Sequence, residues 1–204
     1  ELELVNCVKP VEAVSSIPPF YYTSDRVASD ELEMVFRWSW IGVGRTDIVR
    51  APGDFITLEI AGQSIILLLD TTGQLRALAN SCRHRGARLI DGSGNCNGLR
   101  CPFHSWFYGL DGKLVAAPHM ERARDFDKAD HGLISYRTEE RLGFAFLCLS
   151  PNVSKIDSYL GDFAELHAPW PLDQLLTVRR REIDVDCNWK IFRIIFRILL
   201  PSTH

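Results

Sequence analysis

Between residues 40 and 149, short β-branched and aromatic runs alternate with Gly, Asp and Asn. Many short strands with frequent turns predict a small all-β domain. Residues 55–60 and 63–69 flank Ala61 and Gly62 and read as a hairpin. Residues 106–110 and 113–115 flank Asp111 and Gly112, a tight-turn signal because both residue types tolerate positive φ. Residues 144–149 form a late apolar strand. Ahead of this region, residues 1 to about 22 form an irregular arm, in which Pro10, Pro18 and Pro19 exclude a helix interior. A short helix follows, with Ser29 as its N-cap, Asp30 and Glu31 in the positive first turn, and Leu32, Val35 and Phe36 on one apolar face. After Pro151 the pattern changes again. Ile156, Leu160 and Phe163 fit a short helix before Pro169, residues 175–186 read as a strand, and residues 188–200 are helical in period. The chain therefore divides into an arm at 1–38, a β domain at 39–152, and a linker with the start of a second domain at 153–204.

Composition narrows the function classes. The chain has 204 residues, 46% hydrophobic and 24% charged, with Lys+Arg 23 against Asp+Glu 26. That balance lacks the broad basic surface of a nucleic-acid binder. The longest apolar run in the first half is residues 65–69, far short of the ~20 residues of a membrane helix. The acidic start, from Glu1 to Leu4, has no basic segment leading into an apolar core. A cytoplasmic protein without an integral membrane segment is expected.

The chemistry concentrates in two short segments. Cys82, Arg83, His84, Arg85 and Gly86 form one, and Cys101, Pro102, Phe103 and His104 form the other. Each offers one thiolate and one imidazole. Thiolates are soft, negative ligands suited to iron and bridging sulfide. Neutral imidazoles remove negative charge from a second iron, which makes the reduced state less costly and raises the potential from about −400 mV to roughly −150 to +300 mV. A [2Fe–2S] cluster on Cys82, His84, Cys101 and His104 is the reading this pattern favours. The alternative is a structural zinc site. Zinc usually takes Cys-x₂₋₄-Cys with His-x₃₋₅-His, whereas here Cys and His alternate within each loop. Gly86 and Pro102 allow tight turns beside the ligands, and Trp106 and Phe107 are placed to pack beneath them and exclude water.

Residues 82–89 together with 101–114 resemble the Rieske segment of ring-hydroxylating oxygenase α subunits. That family includes aromatic-ring dioxygenases and monooxygenases acting on quaternary amines. Looser similarity covers Trp40 to Gly44, residues 51–54, and Asn188, Trp189 and Lys190 at the start of the family's catalytic domain. The resemblance implies a mainly β fold: a Rieske [2Fe–2S] domain of small antiparallel sheets with two cluster-binding hairpin loops, a short N-terminal helical arm and the beginning of an α+β catalytic domain. It also implies that Cys82 and Cys101 bind one iron and His84 and His104 the other. A reductase or ferredoxin supplies electrons in such proteins, which can be homotrimers. The cluster passes the electrons to a mononuclear Fe(II) that activates O₂. The family's facial triad is not matched here. Only His204 could stand in for one of its histidines, so a truncated or disrupted α subunit is expected and no catalytic residue is assigned.

Three functions compete on these grounds: the electron-relay portion of an oxygenase α subunit, a stand-alone Rieske ferredoxin, and a zinc-binding interaction module. A ferredoxin needs only ~100 residues, so the extra arm and the residues after Pro151 argue for the first. Cys7, Cys96, Cys148 and Cys187 read as ordinary thiols, with Cys148 a small core residue. His119, His131 and His167 read as loop or surface histidines, His119 with a minor supporting role near the ligands. The charge-rich runs 30–33 and 121–130 are solvated faces or docking sites for an electron donor. The apolar stretch 191–200 reads as a buried helix, a membrane-surface helix or an unprotected, adhesive end.

Overall fold

The computed structural model describes residues 16–181 and 183–192. Cys7, Pro10, the stretch 193–200 and His204 lie outside them. The chain separates into two compact units, one Phe36–Arg179 and the other combining residues up to Val35 with those from Arg180 onward.

The larger unit is built on ten strands: β1 (Ile41–Arg45), β2 (Asp54–Ile60), β3 (Gln63–Leu69), β4 (Leu75–Ala79), β5 (Ser93–Asn95), β6 (Leu99–Arg100), β7 (Phe107–Tyr108), β8 (Leu114–Ala116), β9 (Ser135–Arg141) and β10 (Phe144–Cys148). Seven form one sheet in the order β1-β10-β9-β4-β3-β2-β5, and three form a second in the order β6-β7-β8. Every pairing is antiparallel.

The expected first hairpin is present. β2 and β3 pair from Phe55 against Leu68 to Ile60 against Gln63. Their turn places Ala61 at φ 48 and Gly62 at φ 72, the two left-handed residues that match the twist of the strands. The turn at Asp111 is wider than the sequence suggests. Gly112 N–H donates to Gly109 O at 2.9 Å and Gly109 N–H donates to Lys113 O at 2.9 Å. Asp111 does not take a positive φ, its carboxylate accepts from Lys113 N–H at 3.1 Å, and the flanking strands are short.

Side-chain alternation along β3 explains its unbroken apolar run. Ile66 and Leu68 face a core with Phe55, Leu78, Leu99, Cys101, Trp106 and Tyr108. Ile65 and Leu67 face the opposite core with Ile56, Ala77, Ala145 and Leu147. All four β3 residues are fully buried, so both faces are covered and the strand loses its polar alternation. Full burial of such a side chain contributes about 1.5–3 kcal/mol. The first of these cores lies directly behind the two Cys/His segments.

The unit is finished by α3 (Ile156–Leu160) and α4 (Phe163–Leu166). The single helix expected over 156–163 is thus two, because the chain turns at Gly161 (φ 56). Ile156 packs with Trp40 and Cys148, and Trp40 Nε1 donates to Ser154 O at 2.9 Å. The strand expected over 175–186 is absent among the described residues. Val178 is 97% exposed, and a β-prone sequence without a neighbouring strand gains nothing from extended pairing.

In the smaller unit, α1 (Phe20–Thr23) leads to α2 (Asp25–Glu31), which continues as a π-helical turn, Leu32–Phe36, across the boundary. Ser24, not Ser29, is the N-cap: its backbone is extended and its Oγ accepts from Val27 N–H at 3.4 Å. Ser29 lies inside the helix because the earlier Ser24-Asp25 pair already begins it. The Glu31 carboxylate accepts from Lys190 Nζ at 2.6 and 2.8 Å and from Trp189 Nε1 at 2.8 Å. This joins parts of the chain about 160 positions apart. Among the described residues, no helix is long and apolar enough to cross a membrane.

Candidate metal centre

The first Cys/His segment leaves β4 through Asn80, which is buried. Its Nδ2 donates to Ile90 O at 2.7 Å, and its Oδ1 accepts from Leu89 N–H at 3.0 Å and Ile90 N–H at 3.2 Å. One amide side chain thereby closes the base of the loop. Within it, Cys82 N–H donates to Ala87 O at 2.8 Å and Gly86 N–H donates to Cys82 O at 2.8 Å. The second segment joins β6 to β7, with Leu99 paired to Tyr108 and Arg100 to Phe107. Here Cys101 N–H donates to Trp106 O at 2.8 Å and Ser105 N–H donates to Cys101 O at 3.1 Å. The two loops share one backbone cradle, and each passes through a left-handed residue at the same place, Gly86 (φ 71) and Ser105 (φ 57).

The cradles put both cysteines in the buried core and bring the histidines together. The His84 and His104 rings lie 4.6 Å apart at 78°. Nδ1 of each ring is shielded from solvent and has no hydrogen-bond partner. A buried, unsatisfied ring nitrogen costs about 1–3 kcal/mol, and two of them at adjacent loop tips mark atoms kept for a ligand. Burial lowers the pKa of His84, and the neighbouring His104 and Arg85 charges lower it further. The imidazole is held neutral, the form that binds metal.

Two aromatic residues on β7 and just before it complete the surroundings. Trp106, 2% exposed, stacks on His84 at 4.9 Å and 11°. Tyr108 OH accepts from Arg83 N–H at 3.0 Å and lies 3.3 Å from Cys82 Sγ. Burial pushes the Tyr108 pKa upward, with the Cys82 contact adding to it, so the phenol keeps its proton. Against a ligating thiolate, which only accepts, the hydroxyl is the donor. Phe107 instead packs under the Arg100 guanidinium at 5.0 Å.

Among the described residues no three His, Cys, Asp or Glu side chains are grouped to hold a single ion. Residues 39–136 match the family model for the Rieske [2Fe-2S] domain. Beyond that segment, the chain is 35% identical over 187 residues to the carnitine monooxygenase oxygenase subunit of Escherichia coli K12, covering 90% of this chain and 50% of that one. The chain belongs to the Rieske oxygenases. The glycine betaine monooxygenase oxygenase subunit of Chromohalobacter salexigens is 33% identical over 177 residues, covering 86% of this chain and 40% of that protein. The crystal structure of the quaternary ammonium Rieske monooxygenase CntA with L-carnitine superposes with a TM-score of 0.85 at 32% identity, over 90% of this chain and 53% of that one. The chain spans about half the length of the curated relatives it matches. Because the similarity runs well past the Rieske domain on both sides, the module is of the oxygenase-subunit kind rather than a stand-alone ferredoxin.

The four residues expected as ligands lie on these two loops, the cysteines in the buried core and the histidine rings side by side. The remaining candidates separate cleanly. Cys148 is fully buried and donates to Ser150 O at 3.3 Å, as a core thiol should. His119 is exposed, with φ 68, and His167 rests on Phe163 at 4.3 Å. His131, expected to be a loop or surface histidine, packs edge-to-face with Trp106 at 5.8 Å and 75°. Asn80 and Tyr108 were not singled out from sequence. Tyr108 was within reach, since it shares a strand face with Trp106 two positions earlier. Asn80 was not, because its role depends on where residues 89 and 90 return.

Proposed function

We propose that Cys82 and Cys101 hold one iron of a Rieske [2Fe–2S] cluster and His84 and His104 the other, and that this module relays single electrons within an oxygenase α subunit. The observation that carries the assignment is the meeting of two matched loops that present buried thiols and two orphaned imidazole Nδ1 atoms. When bound, the cluster supplies reversible one-electron transfer. The chain's own residues do the rest. The two cradles fix the cysteines by their backbones. Burial keeps His84 neutral. Trp106 covers the His84 ring and excludes water from it. Tyr108 donates to Cys82 Sγ, which favours extra negative charge on that side.

The donor is a reductase or ferredoxin, and the acceptor is a mononuclear Fe(II) of the parent subunit. That subunit works as a cytoplasmic homotrimer. The named relatives support a quaternary ammonium compound as the parent's substrate, in preference to an aromatic ring. The deciding experiment is anaerobic reconstitution with iron and sulfide, followed by metal analysis and EPR. Two irons and two sulfides per chain are expected, with a rhombic signal on reduction whose average g lies below the free-electron value. A colourless protein that takes up one zinc and no sulfide would overturn the assignment.

A further inference from the structure

Imidazole ligands are normally oriented by a hydrogen bond from the ring nitrogen that does not face the metal. Among the described residues no such bond reaches the other nitrogen of His84. The terminal torsion of a histidine is broad and roughly two-fold, so a flat side chain packed against the ring face restricts its plane. The near-parallel Trp106 indole does so, at 4.9 Å and 11°. Trp106 in turn has no polar anchor: its Nε1 is buried and without a partner. It packs edge-to-face with Phe126 at 5.6 Å and 61° and with His131 at 5.8 Å and 75°, and these contacts hold its plane.

These two neighbours are not equivalent. Phe126 also lines an open surface cavity of about 620 Å³ with Val115, Met120 and Lys128, so one side of it lacks packed atoms. His131 is tied down. Its Nδ1 lies 2.7 Å from Asp127 O, and a carbonyl only accepts, so that nitrogen carries the proton. Asp127 itself caps the turn Lys128–His131, accepting from Ala129 N–H at 2.9 Å. Two residues on, Leu133 N–H donates to Gly112 O at 2.8 Å, and Ala79 N–H donates to Ile134 O at 2.8 Å. A rigid path thus runs from the central sheet through His131 and Trp106 to His84.

We propose that His131 is a positioning residue for the cluster: through Trp106 it fixes the plane of the His84 ligand and so helps set the electronic character of the histidine-ligated iron. The proposal rests on the cluster assignment above. It is tested on the reconstituted full chain, labelled with ¹⁵N-histidine, by pulsed EPR of the reduced state and by the midpoint potential. His131→Ala should change the nitrogen coupling of one histidine ligand while leaving the other as in the parent, and should shift the midpoint. His131→Phe, which returns a ring edge to Trp106, should restore most of both. His131→Gln, which keeps a donor for Asp127 O without the ring, should behave like His131→Ala. This last variant also covers the case in which alanine prevents folding. Parental couplings and midpoint in the alanine or glutamine variant would overturn the brace. A parent protein that shows no cluster signal at all would instead overturn the assignment on which the brace rests.

Discussion

In the first ligand loop the left-handed position four residues after the cysteine is Gly86, at φ 71; in the second it is Ser105, at φ 57. Both loops close through the same two backbone hydrogen bonds, yet the histidine stands two residues after Cys82 and three after Cys101. The shared element is the cradle around the cysteine. The histidine register is free to differ because each ring only has to reach the common centre. A second contrast concerns the sulfurs. Cys82 Sγ has the Tyr108 hydroxyl 3.3 Å away, while among the described residues no hydrogen bond reaches Cys101 Sγ. Two loops of one shape therefore offer two electrostatically different thiolates.

The largest expected effect treats the loops as equals. Cys82→Ser and Cys101→Ser should each abolish the cluster, because loss of one ligand leaves an iron under-coordinated and ligation contributes to folding. Iron and sulfide analysis checks this, and full cluster absorbance in either variant would contradict the assignment. The next effect separates the loops from their frame. Asp70, in the turn between β3 and β4, is 2% exposed. Burial pushes its pKa up, but hydrogen bonds from Thr72, Arg76 and Gln74 outweigh it and hold the carboxyl well below the usual range. A depressed folded-state pKa contributes stability that is complete above the unfolded value near 3.8 and is lost as pH falls below it. Asp70→Asn should cost about 3 kcal/mol near neutrality and flatten the loss of stability below pH ~4, in chemical denaturation, with the cluster spectrum unchanged. A changed spectrum would mean that frame and loops are not independent.

Tyr108→Phe probes the asymmetry between the sulfurs. It removes a donor from Cys82 Sγ and leaves the Arg83 N–H without its acceptor, at a cost of about 1–3 kcal/mol. The reduced cluster carries the extra negative charge, so losing the donor should lower the midpoint potential. An unaltered midpoint would show that the 3.3 Å contact carries no electrostatic weight.

Much of this was legible in the sequence. The two Cys/His loops stood out because metal-ligand chemistry singles out Cys and His at short spacing. The β2–β3 hairpin was readable because a two-residue turn admits few residues. What escaped depended on distant returns of the chain. Asn80 acquires its role only when Leu89 and Ile90 fold back to it. His131 looked like any loop histidine because nothing local shows that it will meet Trp106, 25 positions earlier. The strand expected over 175–186 failed for the same reason in reverse, since its pattern was adequate and, among the described residues, no neighbouring strand pairs with it.

The smallest effects return to the left-handed position that opened the contrast between the loops. An L side chain there costs about 1–2 kcal/mol, while replacing glycine by alanine recovers about 0.4–1 kcal/mol from the unfolded chain. An added Cβ at Gly86 meets only Ser81 Oγ, at 3.8 Å, so strain rather than collision decides the outcome. Gly86→Ala should therefore lose about 1 kcal/mol. Ser105 is exposed and already carries the strain. Ser105→Gly removes it, forgoes no buried contact, and gives back part of the gain through the freer unfolded chain, for a net stabilisation below ~1 kcal/mol. Denaturation midpoints of the two variants should move in opposite directions. Movement in the same direction would mean that the loops are held by something other than the backbone cradle they share.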